Sequence, residues 1–201
     1  MVRTLIGGLV GGLIIFVMGY IFWATPLGNI PFAHAGDVQA AAVQTAMAQN
    51  LTPTGTGTYK IPDPRTREGA SAYTNGPIAI VDYNSKGFAP EDMSMILPGF
   101  IVAVIAGLLI AFGLAVVGGG RSFGALARLV VGFSLGFTVW EFLGTPIFMH
   151  FGWSYWIYSF VAESVSLILA GLAIARWFVP HLAAGAGAAA PAYEEPRATE
   201  A

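Results

Sequence analysis

Cysteine is absent from the chain, which excludes disulfides, thiol nucleophiles and thiolate metal sites. Charge is also scarce. Asp, Glu, Lys and Arg make up 10% of the 201 residues, where a soluble domain carries about 25%. The net charge of −2 leaves no basic excess to neutralise phosphates, so nucleic acid is not an expected partner. Within residues 24–94 no nucleophile elbow, zinc helix motif or acid–base pair is recognisable. Gly118-Gly119-Gly120-Arg121-Ser122 lacks both the G-K-[ST] ending and a preceding soluble strand, and reads better as a glycine turn with an arginine at headgroup level. Accordingly no catalytic residue, cofactor or metal site is expected.

What the chain does have is apolar sequence. Apolar residues amount to 56%, and they fall in blocks that suit lipid as the solvent. Leu5–Trp23 contains no charge and fits the ~20 residues needed to cross a bilayer. Its rival reading is a signal peptide, with Arg3 as the basic start and Ala33-His34-Ala35 as the cleavage form. The run exceeds the ~7–15 residues of a signal core, which favours an uncleaved anchor. Further spans are expected at about 95–117, 127–148 and 153–177. The second would end at the Gly118–Gly120 run, which cannot easily continue a helix.

Arginine placement sets the expected orientation. In a four-span reading Arg3, Arg121, Arg128, Arg176 and Arg197 all fall on one side, as cytoplasmic flanks do. The turn at Thr145–Phe151 has no Lys or Arg. Trp23, Trp153, Tyr155, Trp156 and Tyr158 would form the outer aromatic belt and Trp177 an inner anchor. The expected fold is therefore an all-α membrane protein. A four-helix transmembrane bundle has both termini cytoplasmic and a small α+β extracytoplasmic insert at 24–94 between its first and second helices.

Within the insert, Asp37 is expected to cap a helix over Val38–Gln49, with Asn50 ending it. Gly57–Ile61 and Pro77–Tyr83 read as short strands, and Pro62–Asn75, polar and rich in breakers, as loop. A segment of this size without disulfides has little core of its own. The tail 178–201, mostly Ala, Gly, Pro and Glu, is expected to be disordered and cytoplasmic.

Two features invite a function. Ser134, Thr138, Glu141 and Thr145 recur at helical spacing in the third span, as do Tyr155, Ser159, Glu163 and Ser166 in the fourth. In an antiparallel hairpin turning near Phe151-Gly152, Glu141 and Glu163 would share one depth, roughly 15 Å below the turn. With no Lys or Arg beside them, they would be protonated, share a proton or hold a cation, and His150 could join them. The competing reading is interhelical polar glue. A third possibility is that Gly144-Thr145-Pro146 ends the helix early and leaves Glu141 interfacial.

The second feature is small residues at four-residue spacing: Gly7, Gly8, Gly11 and Gly12, then Ala103 and Gly107, then Gly132 and Gly136. Such stripes let helix backbones approach, within the chain or on a partner membrane protein or second copy.

Several short segments also resemble a family of uncharacterised bacterial membrane proteins. They are Phe22-Trp23-Ala24-Thr25-Pro26-Leu27-Gly28-Asn29, the Ala-rich stretch ending Gln49-Asn50, Gly57-Thr58-Tyr59-Lys60-Ile61-Pro62, and Gly76-Pro77. The resemblance covers about residues 1–177. It implies the same layout and a bacterial inner membrane, and it brings no functional residue. Together these readings lead to the expectation of a non-enzymatic accessory or interaction subunit of a membrane assembly. The alternative is a small proton- or cation-linked transporter or sensor using the glutamates.

Overall fold

A computed structural model describes residues 1–90 and 92–180. The chain is mostly helical. The order is α1 (Val2–Trp23), α2 (Asp37–Leu51), β1 (Gly57–Ile61), α3 (Arg67–Asn75), β2 (Ala79–Tyr83), α4 (Ile96–Gly118), α5 (Phe123–Thr138), a π-helical turn (Val139–Leu143), α6 (Gly144–Met149) and α7 (Trp153–Trp177). Four helical runs are long and apolar enough to cross a membrane: Val2–Trp23, Met93–Gly118, Phe123–Met149 and Trp153–Trp177. The chain divides into two compact units, one of residues 1–32 with the chain from Ser94 onward, the other Ala33–Met93.

In the helical unit, α7 is central and packs on α1, α4 and α5, while α1 also packs along α4. The buried residues of α7 explain its place. Ala162, Ser164, Ser166, Ala170, Gly171, Ala173 and Ala175 are all buried, and small residues on more than one side let several helices come close.

Glycine decides how α1 fits. Gly8 and Gly12 face α4: a Cβ at Gly12 would lie 2.5 Å from the Val104 Cα, and one at Gly8 2.8 Å from the Leu108 Cα. From the other side, a Cβ at Gly107 would collide with the Gly8 carbonyl and the Gly12 amide. Gly7 and Gly11, a fraction of a turn round the helix, take Phe178 and Ile174 instead. The two overlapping pairs thus serve two different neighbours, and both neighbours belong to the same chain. Ala103 is buried in the same seam, where its carbonyl faces Gly12.

The apolar core sits towards one end of the unit, where Ala111, Leu114, Leu126, Val130, Ile174, Ala175 and Val179 form one cluster. Val179 is 2% exposed, and Phe178 packs on Gly7. Residues 178 and 179 are therefore part of the packed helical unit rather than of a disordered tail, because apolar side chains there meet glycines on α1 and α4. The remainder of the expected tail, 181–201, lies outside the described residues.

Helix α5 starts earlier than expected, at Phe123, because the Ser122 hydroxyl accepts from the Ala125 amide and caps it. Its run does not stop at Gly144-Thr145-Pro146. Pro146 has no N–H to return to the preceding turn, and the helix passes this region by widening into the π-helical turn, then continues to Met149.

In the second unit, β1 and β2 pair antiparallel with Tyr59 opposite Val81. The Thr58 hydroxyl donates to Asp82 at 2.7 Å, and the Thr52 and Tyr83 hydroxyls lie 2.6 Å apart. Strand β2 begins at Ala79 rather than Pro77, which has no ladder donor. Two sequence expectations are corrected here. Asp37 is the first residue of α2 rather than its cap, a position held by Gly36. The expected loop 62–75 contains α3, capped by the Thr66 hydroxyl accepting from Gly69 at 2.9 Å and ended by Gly76 at φ 59°. Ahead of that helix, the Arg65 guanidinium and then its backbone N–H bond the Asp63 carboxylate and hold it down at about 2. No described residue of 33–93 is buried, which suits a segment too small to build a core.

The α1–α4 contact makes a direct prediction. Gly107→Ala should force the two backbones apart and cost about 1–3 kcal/mol, the usual penalty of overpacking. Gly132→Ala enters open space and should be neutral or slightly stabilising. Thermal unfolding in detergent, followed by circular dichroism, compares them, and equal melting temperatures would remove the seam as the main restraint.

Candidate functional site

The polar residues expected to face one another lie in the middle of the π-interrupted run and of α7. Thr138 is fully buried and its hydroxyl bonds the Ser134 carbonyl at 2.8 Å. Its oxygen also lies 2.8 Å from the Ser164 hydroxyl. With the threonine proton spent on Ser134, Ser164 donates to Thr138, and a polar link ties α5 to α7 inside an otherwise apolar contact. Ser159 and Ser166 are buried too, but their hydroxyls return to their own helix at Tyr155 and Ala162, which satisfies them without a partner helix.

This geometry separates the glutamates. Ser164, not Glu163, is the residue of α7 that meets α5. Glu163 precedes it by one position, about 100° round the helix, is half-buried, and lies near the Trp23 side chain of α1. Glu141 lies in the π-helical turn and is exposed, and Thr145 bonds only its backbone carbonyl, at 3.2 Å. Among the described residues no hydrogen bond joins Glu141 to Glu163. Glu141 is thus exposed in a segment where the wider turn departs from straight 3.6-residue spacing, while Glu163 is half-buried.

His150 does not complete a site either. It is exposed and takes the left-handed conformation, φ 55° and ψ 33°, that ends α6, a backbone state that histidine tolerates better than most residues. Among the described residues no group of three His, Asp or Glu is placed to hold a metal ion.

The helical unit has two chemically different ends. At one, the Arg3 guanidinium donates to the Trp177 carbonyl at 2.8 Å, Arg176 lies 5.8 Å over the Phe123 ring, and Arg121 and Arg128 stand exposed beside the α4–α5 turn. The start of α1, the end of α4, the start of α5 and the end of α7 meet here, joined through Phe178 on Gly7 and Val179 on Gly118. At the other end Trp23 packs on Tyr155 and Tyr158, Phe32 on Tyr155, and the Tyr158 hydroxyl donates to the Phe22 carbonyl at 2.6 Å.

Compared with known proteins, the chain matches no family model, no curated protein and no solved structure. Any functional reading rests on the chain's own geometry.

The sequence reasoning did not single out Ser164 or the Trp23–Glu163 contact. The signal for Ser164 was present in the crowding of small residues on several sides of α7, which marks a helix with neighbours all round. The Trp23 contact joins residues far apart in the chain, and periodicity does not register it.

The Thr138–Ser164 link can be tested by removing its acceptor. Thr138→Val should cost about 0.6 kcal/mol and at most about 1.7, the range for hydrogen bonds between membrane helices. The Thr138→Val/Ser164→Ala double variant should cost less than the two single changes added together. Additive losses of melting temperature in detergent would show that the two hydroxyls are not coupled.

Proposed function

We propose that the chain is a multi-pass protein of the bacterial inner membrane acting as a non-enzymatic accessory or interaction subunit. In this reading the four apolar helical runs form a transmembrane bundle, both termini are cytoplasmic and 24–94 is extracytoplasmic. The orientation is supported by the asymmetry of the two ends: four arginines at one, clustered Trp and Tyr at the other. The bacterial setting is supported by the resemblance of the segments between Phe22 and Pro77.

One observation carries the interaction role. Helix α5 packs chiefly on α7 and otherwise lies bare: Gly132 and Gly136 face open space, and Glu141 beyond them is exposed. An acidic side chain in a span costs about 2.5–3.5 kcal/mol on insertion scales and ordinarily turns to a protein interior. Among the described residues Glu141 stays exposed, whereas Gly7, Gly8, Gly11 and Gly12 of α1 are used by α4 and by the end of α7. A helix of another subunit laid on α5 would accept the close approach offered by Gly132 and Gly136 and shield the carboxyl. The proton- or cation-linked alternative is less favoured, since Glu141 is exposed and Glu163 half-buried.

Two measurements test this reading. Because the chain lacks cysteine, single cysteines report topology cleanly. Gly87→Cys should react with a membrane-impermeant maleimide in intact spheroplasts, and Gly119→Cys only after permeabilisation. The reverse pattern would invert the orientation, and a chain released by alkaline carbonate would remove the membrane. For the interaction role, the protein purified in mild detergent should run as a complex or homodimer by native mass spectrometry. Gly136→Leu should return it to monomer with an unchanged melting temperature, and a wild-type monomer with nothing bound would overturn the role.

A further inference from the structure

Helices α4 and α5 follow one another in sequence yet barely touch, because each is held by α7 or α1 rather than by the other. The gap between them is a cleft of about 570 Å³ floored by α7, within the ~300–1,000 Å³ of ordinary ligand sites. Its walls include Leu114, Val117, Leu129, Phe133, Phe137 and Leu167, and among the lining residues only Ser134 and Arg121 are polar. On α5 the lining runs from Leu129 to Phe137, roughly 12 Å of helix. Arg121 stands at the end of the cleft, in the α4–α5 turn. Among the described residues its guanidinium has no hydrogen bond or ion pair, and none of the residues that line the cleft is acidic.

A long apolar trough with one unpaired cation at its mouth matches an amphiphile with a hydrocarbon chain and an anionic head. We propose that this cleft holds one acyl chain of an anionic phospholipid whose headgroup phosphate is bound by Arg121. The trough supplies apolar contact along the chain, and the guanidinium binds phosphate oxygens most strongly where no choline cation in the same headgroup offsets the phosphate charge. Basic pockets between membrane helices on the cytoplasmic side recognise anionic headgroups by the same chemistry. The inference rests on the membrane placement proposed above, although not on the presence of a partner subunit.

Gly113 gives a clean test. It lines the cleft, and a Cβ there would meet no atom within 4 Å, so Gly113→Leu fills the trough without striking the backbone. The full chain, delipidated in a non-ionic detergent, is given phosphatidylglycerol or phosphatidylcholine of identical acyl chains, and bound lipid is counted by native mass spectrometry. Wild type should retain one phosphatidylglycerol, preferred over phosphatidylcholine by about fivefold, the effect of one basic residue on an anionic lipid. Arg121→Gln, an exposed turn position, should abolish the preference, and Arg121→Lys should keep most of it. Gly113→Leu should lose both lipids while keeping wild-type helicity.

Equal retention of the two lipids by wild type overturns the proposal, as does an undiminished preference in Arg121→Gln. Should Gly113→Leu fail to fold, the Arg121 pair decides alone. A homodimer that Gly113→Leu dissolves would mean that a helix of a second copy occupies the cleft, which also overturns it. Failure of the membrane placement would look different: the chain would leave the membrane in alkaline carbonate before any lipid was counted.

Discussion

The nearest approach of two helices in this protein is between α1 and α4, and much of the rest follows from it. At Gly8, Gly12 and Gly107 there is no room for even one methyl group on either side. In lipid, helices gain nothing from hiding apolar side chains from one another, since the tails are equally apolar, and association depends on close contact between surfaces. A flat glycine seam gives that contact over a long stretch of backbone. Gly7 and Gly11 then let Phe178 and Ile174 reach the adjoining face of α1. Helix α1 therefore locks α4 and the end of α7 together, and a change at any one of these glycines is felt by three helices.

Once α1 occupies the space beside α4, α5 has only the remaining side of α7 to pack on. The Thr138–Ser164 hydroxyl pair marks that contact and sets its register. The consequences appear on both flanks of α5. On one, it stands away from α4 and leaves the cleft ending at Arg121. On the other, Gly132 and Gly136 remain open. The proposed lipid site and the proposed partner surface are thus two results of a single packing choice, and each can be tested without the other.

The apolar spans were legible from sequence because about twenty uncharged residues in a row have few alternatives, and the small-residue stripes were legible because their spacing is local. What escaped depends on departures from ideal geometry. The π-helical turn at Val139–Leu143 shifts every later residue, so Glu141 could not be placed by counting from Ser134. Helix α3 was hidden by Pro62, Pro64 and Gly76, breakers that flank a helix rather than interrupt it. The cap at Thr66 with Glu68 in the first turn was the signal that could have revealed it. Val179 escaped because the composition of the tail outweighed two apolar residues at its start, and their glycine partners lie on distant helices.

The two glutamates of the third and fourth apolar helical runs stand in different surroundings. Glu163 is half-buried among helices of its own chain, near the Trp23 side chain. Glu141 is exposed, in the π-helical turn that follows α5. A chain that had only to be a stable four-helix unit could carry an apolar residue at 141 at no loss, since no contact within the monomer uses that carboxyl. Its presence there, next to the open Gly132 and Gly136, is what the proposed partner surface on the bare side of α5 would use.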